Sequence, residues 1–198
     1  MKERPILFSG PMVRALLDGR KTQTRRVVKL PHNNSLGTWE PTTIGGPEGG
    51  RTASGETVPL QGAIWHTRTG DSLMCPYGQP GDRLWVRETF FPTPESCGGG
   101  WHYKATEAND FLPSMPWKPS IHMPRAASRI TLEVTGVRVE RLQTISRGDS
   151  MDEGCPFPNI AGGDDPRQWF SGLWCDINGA ESWDVNPWVW VVEFRRLP

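Results

Sequence analysis

The chain has no excess of either charge: its 22 lysines and arginines balance 22 aspartates and glutamates over 198 residues. That balance excludes a strongly basic nucleic-acid coat, so any nucleic acid has to be held by a local basic patch. No run of about 18 apolar residues is present, so no transmembrane helix is expected. The first residues lack the apolar stretch of a secretory signal. The expectation is a cytoplasmic protein with no membrane partner, within the host cell if phage-encoded. Cysteine is scarce and scattered: Cys75, Cys97, Cys155 and Cys175 form no C-x-x-C pair, and His32, His66, His102 and His122 are equally dispersed. This spacing argues against a finger or ribbon zinc site; neither a metal nor a cofactor is expected.

Apolar residues make up only 36% of the chain, while Gly 22 and Pro 19 together form about a fifth of it. That mixture points to short strands and many loops rather than a helix bundle. Ten tryptophans restore some of the missing core area, because each buries a large surface. Trp85, Trp174, Trp188 and Trp190 are assigned to the core.

The length suits one domain over residues 1–198. Pro5–Ser9 reads as a strand. Pro11 then opens a helix whose apolar face is Met12, Val13, Leu16 and Leu17, and Gly19 stops it. Residues 22–28 alternate as a strand. Residues 31–72 are rich in Gly, Pro, Thr and Ser and read as a loop-rich insertion, with a strand or hairpin arm at 60–68. A turn at Gly78–Asp82 leads into a strand with Leu84, Val86 and Glu88 on one face. Residues 106–120 form a Pro-rich loop. The strongest β signal runs from Ile130 to Arg141, with Gly136 as a candidate bulge. Ser146–Gly154 reads as a short capped helix, residues 165–177 as an amphipathic helix, and Trp188–Phe194 as a buried closing strand. The pattern predicts an α+β fold, a small β-barrel with flanking helices.

The densest polar segment is Gly19-Arg20-Lys21-Thr22-Gln23-Thr24-Arg25-Arg26. Its Gly19, Lys21 and Arg26 match the motif GxKxxExR, with Thr24 at the Glu position. With this motif, the Leu142–Ser146 junction, the Pro80-Gly81-Asp82 turn and the last strand, the chain resembles the ASCH family of PUA-like barrels. The matched stretches are 5–28, 78–90 and 129–196. Taken whole, the chain is most similar to the longer phage and prophage members. The G-R-K-T-x-T-x-R variant is similar to small ASCH enzymes that hydrolyse N4-acetylcytidine. The resemblance implies a domain that binds a nucleobase or nucleic acid. It also implies a catalytic set of Lys21, Thr24 and a downstream Glu153. The alternative reading is a non-catalytic PUA-like reader of RNA or modified DNA, RNA being favoured over DNA.

The chemistry of these residue types is consistent with both readings. Threonine attacks a carbonyl only when a base takes its proton, and lysine serves as that base only if burial or neighbouring cations lower its pKa. Arg20, Arg25 and Arg26 either supply such repulsion or bind phosphate. Glu153 orients Lys21 or protonates the leaving amine. A second candidate ligand surface is Arg87, His122, Arg125 and Arg129; its other reading is an ion-paired loop anchor for Glu88 or Glu133.

Overall fold

The computed structural model describes residues 1–45, 50–51, 55, 57–107, 116–157 and 165–198. It is a mixed α+β fold. The main sheet contains β1 (Glu3–Leu7), β2 (Gln23–Val27), β8 (Arg83–Arg87), β11 (Thr131–Arg141) and β12 (Trp188–Arg196), in the order β1-β8-β11-β12-β2. Only the β1–β8 pairing is parallel. Among the described residues three α-helices accompany it: α1 (Gly10–Leu17), α2 (Arg147–Asp152) and α3 (Pro166–Asn178). Among the described residues no helix is long and apolar enough to cross a membrane.

Local chemistry accounts for most of these elements. Pro11 lies in the first turn of α1, whose buried positions are Met12, Val13, Ala15 and Leu16; Met12, Val13 and Leu16 join the main core. Ser146 and Asp149 form a reciprocal capping box that fixes the start of α2. In β11 the pairing with β12 shifts register between Val134 and Gly136, which is the expected bulge and bends the longest strand. Along β8, Leu84 and Val86 take the inner face. Strand parity therefore puts Trp85 on the outer face, under the guanidiniums of Arg87 and Arg125 at 5.3 and 6.0 Å, rather than in the core. Trp188 is likewise only partly buried, whereas Trp174 and Trp190 are buried.

Two expectations change. The sheet is not a closed barrel: its ladders end at β1 and β2. α1 connects these two edges, and the Arg26 side chain bridges them by donating to the Leu7 carbonyl at 2.6 Å. The segment 31–72 holds the strand expected within 60–68 and further strands that the loop-rich reading did not include. It contains β3 (Trp39–Ile44), β4 (Gly50–Arg51), β5 (Thr57–Val58) and β6 (Gln61–His66), with β7 (Ser72–Met74) at its end; β3, β6 and β7 form an antiparallel sheet. Trp39 and Ile64 join the main core. At Gly62 a Cβ would lie 2.6 Å from the Arg138 Cα, so only glycine allows β6 to cross β11 this closely. A small sheet, β9 (Phe90–Pro92) with β10 (Trp101–Tyr103), lies beside the core. Parts of the expected 31–72 insertion and of the Pro-rich 106–120 loop lie outside the described residues.

Candidate functional site

The motif occupies the turn from α1 into β2. The amides of Arg20 and Lys21 both donate to the Ala15 carbonyl, so the chain folds back at the helix end. Lys21 then forms a single antiparallel bridge with Glu153, the residue after α2, and the Thr22 amide donates to the Asp152 carbonyl. Gly154 allows this approach. It has φ +98°, and a Cβ there would stand 2.8 Å from the Ala15 side chain, so any larger residue separates the end of α2 from α1.

Backbone pairing brings the Lys21 and Glu153 side chains together in a buried pair. Lys21 Nζ lies 2.7 Å from Glu153 Oε2 and donates to the Glu153 carbonyl at 2.9 Å. An ammonium has three N–H groups, so one remains for another acceptor. Burial pushes the Lys21 ammonium below its ordinary value; Glu153 works against this, while Arg26 and Arg25 add to it. Both cations lie near the Phe8 ring, with Lys21 Nζ 5.7 Å and the Arg26 guanidinium 5.4 Å from its centroid.

Lys21, Thr24, Arg25, Arg26 and Glu153 line one cavity of about 380 Å³, the size of a small-molecule pocket. The gap between β1 and β2 forms one side of it, through Leu7, Phe8, Ser9 and Val27, and α3 forms another, through Phe170, Leu173, Trp174 and Ile177. Thr24 is buried, and its hydroxyl makes no hydrogen bond among the described residues.

The three arginines of the motif diverge. Arg25 is a structural hub: it reaches Glu153 Oε1 at 3.2 Å, Glu140 Oε2 at 3.2 Å and Asp149 Oδ2 at 3.6 Å. Its terminal nitrogens are committed to carboxylates. Arg20 points away from the cavity, to the Gly154 carbonyl and Asp18. Arg26 has no carboxylate partner among the described residues. It is the motif cation best placed to meet an anionic ligand group.

The second candidate surface is separate and behaves as a loop anchor. Arg129 grips buried Glu88 through two bonds of 2.9 and 3.0 Å and stacks on Tyr103 at 4.0 Å. Arg125 pairs with Glu3, Arg87 donates to the Ile121 carbonyl, and His122 is exposed. Glu133 pairs with Arg195 instead. None of Arg87, His122, Arg125 or Arg129 lines the cavity.

The motif did not reveal the α3 wall, whose only sequence signal was its helical apolar spacing, nor the two extra carboxylates around Arg25. Among the described residues no group of three His, Cys, Asp or Glu side chains is placed to hold a metal ion. Comparisons with protein-family models, curated proteins and solved structures find no match to this chain.

Proposed function

We propose that this cavity binds an N-acylated nucleobase, of the N4-acylcytidine type, and hydrolyses its amide. The observation that carries this reading is the buried Lys21–Glu153 pair at 2.7 Å, opening onto the same cavity as Thr24. The ASCH resemblance in the motif supplies the expected catalytic set, and those three residues line one pocket.

In this mechanism the Thr24 oxygen adds to the acyl carbon while neutral Lys21 takes the hydroxyl proton. Glu153 orients the amine, and burial keeps the neutral form of Lys21 accessible below the usual lysine range. The tetrahedral adduct collapses by breaking the C–N bond. The leaving exocyclic amine takes its proton from the Lys21–Glu153 pair, leaving an ester on Thr24. Water then cleaves the ester, giving a carboxylic acid and regenerating the threonine. Arg26 faces the anionic part of a larger ligand.

The test is incubation with N4-acetylcytidine and chromatographic detection of cytidine. Thr24→Ala is expected to abolish turnover while leaving the dissociation constant within about threefold; an unchanged rate overturns the mechanism. One observation favours the alternative of a reader without chemistry: the Thr24 hydroxyl is not hydrogen-bonded to Lys21. Salt-steep RNA or DNA binding with no turnover selects that alternative. The balanced charge runs against it, since such binding needs several unneutralised cations.

A further inference from the structure

Four charged side chains line the cavity: Lys21, Arg25, Arg26 and Glu153. Glu153 binds two of the others, taking Lys21 on Oε2 and Arg25 on Oε1. Arg26 stands outside this set and has no carboxylate partner among the described residues. Its guanidinium makes one hydrogen bond, from Nη2 to the Leu7 carbonyl, and that contact is open to solvent. Nη1 has no acceptor among the described residues, and Nε is buried without one. The neighbours fix where the group sits. It bonds to Leu7, lies 5.4 Å from the Phe8 ring centroid, and its charge acts on Lys21; all three of these residues line the cavity. Burial pushes Arg26 below its ordinary value, and Tyr77 and Glu153 oppose this only in part. A partly desolvated cation without a counter-charge is costly until an anion meets it. Ser9, next to Phe8 in the chain, is exposed, lines the same cavity and makes no side-chain capping bond to α1.

We infer that the Arg26 end of the cavity is a phosphate subsite, and that the substrate is an N-acylated nucleotide rather than a free nucleoside. This deepens the functional reading above and rests on it. Arg26 lies two residues beyond Thr24 on the same side of β2, about 7 Å along the strand. The anion it meets therefore stands away from the reacting amide, with the sugar between them. A cytosine base carries no anion of its own, so the phosphate ester is the group that reaches this cation. The planar guanidinium presents paired N–H groups that match phosphate oxygens, and the Ser9 hydroxyl adds a donor. One uncommitted cation suits one phosphate. A strand needs several, which the balanced charge does not offer.

The test uses two ligands that differ only in the phosphate, N4-acetylcytidine and N4-acetylcytidine 5′-monophosphate, titrated calorimetrically into the full chain carrying Thr24→Ala to prevent turnover. The monophosphate is expected to bind about tenfold more tightly, the effect of one charge-assisted hydrogen bond. Equal affinities overturn the subsite and leave the nucleoside pocket standing. Adding Arg26→Gln is expected to bring the two affinities within about twofold of each other; a ratio that stays near tenfold overturns the assignment to Arg26. Each chain supplies its own reference ligand, so a general loosening of the pocket does not mimic this result. A trinucleotide with N4-acetylcytidine at its centre separates a strand from a free nucleotide: binding tighter than that of the monophosphate overturns the nucleotide as substrate. If neither acetylated ligand binds, while cytidine 5′-monophosphate binds more tightly than cytidine, the N-acyl reading alone falls. If none of the four binds, the cavity reading falls and the subsite with it. If the monophosphate binds but the wild-type chain turns nothing over, the hydrolytic reading alone falls, and the binding ratios still decide the subsite.

Discussion

Replacing Glu153 with glutamine removes one charge and little volume, and it leaves Lys21 and Arg25 facing each other inside the protein. Their side chains are 1% and 0% exposed. Breaking a buried pair by removing one partner costs about 3–5 kcal/mol. The lower end applies here, because Arg25 keeps Glu140 at 3.2 Å and Asp149 at 3.6 Å. Lys21 sets a ceiling on its own share, since it can lose its proton instead. At pH 7, taking the proton from a lysine of ordinary value 10.5 costs at most about 5 kcal/mol, at about 1.36 kcal/mol per pH unit. At pH 9 the ceiling drops to about 2 kcal/mol. The sign follows from linkage: a depressed folded-state lysine costs stability while the unfolded lysine is protonated, and the cost fades as pH rises towards 10.5. Urea unfolding of Glu153→Gln is therefore expected to show a loss of about 3 kcal/mol at pH 7. With a slope of about 2 kcal/mol per M, the midpoint falls by about 1.5 M. The loss is expected to be smaller at pH 9. Lys21→Met with Glu153→Leu is expected to recover much of it, because an apolar pair of similar volume needs no counter-charge. A midpoint shift that is small at pH 7, or that grows at pH 9, refutes the reasoning.

Four further outcomes follow from the same geometry. If Lys21 is the base, log kcat/KM for N4-acetylcytidine rises with pH and levels off below 10.5, the ordinary lysine value, because burial lowers that value; a plateau only above it is inconsistent with the role. Burial disfavours Asp149 ionisation, but bonds from the Ser146 hydroxyl, Gln23 and the Ser146 amide outweigh it and hold the carboxyl below its usual 3.8. Asp149 therefore adds stability above that pH which disappears on further acidification, and Asp149→Asn should flatten the acid limb of thermal stability and lower Tm at pH 7. Gly62→Ala places a methyl against the Arg138 backbone and should cost about 2 kcal/mol or more in urea unfolding, as overpacking does; a neutral result means that β6 and β11 separate freely. Burial pushes the Cys75 thiol from 9.0 up to about 11, so native labelling at pH 8 followed by peptide mass mapping should leave Cys75 unmodified.

What could be read in the sequence was local. The Ser146 cap, the Gly136 bulge, the α1 face and the closing strand each depend on neighbours within a few residues, and each is present. Inside 31–72 the strand expected at 60–68 is present as β6, but the sheet around it was not legible, because it contributes core residues one at a time. Trp39 and Ile64 carry no period that marks a buried face, and Gly62 owes its meaning to Arg138 on a distant strand. Trp85 was misplaced because its size suggested burial while its strand parity pointed outward. At the site, Lys21, Thr24 and Glu153 were singled out by the motif's resemblance to the ASCH family. Arg25 read as a phosphate contact or a source of repulsion on Lys21, and its role as a hub was hidden because its carboxylates Glu140 and Asp149 lie 115 and 124 positions away. Trp174 read as core, and its ring is buried.

The gap between β1 and β2 bears on how this pocket can be altered. In a closed sheet the interior width is fixed by strand number and stagger, and a new ligand size requires a new ladder. Here the cavity opens where the ladders stop, spanned by one arginine side chain. Leu7 and Val27, each 40% exposed, form its lips. Exchanging those two side chains changes the entrance without removing an interstrand hydrogen bond, so selectivity for ligand size can drift, or be engineered, independently of the fold.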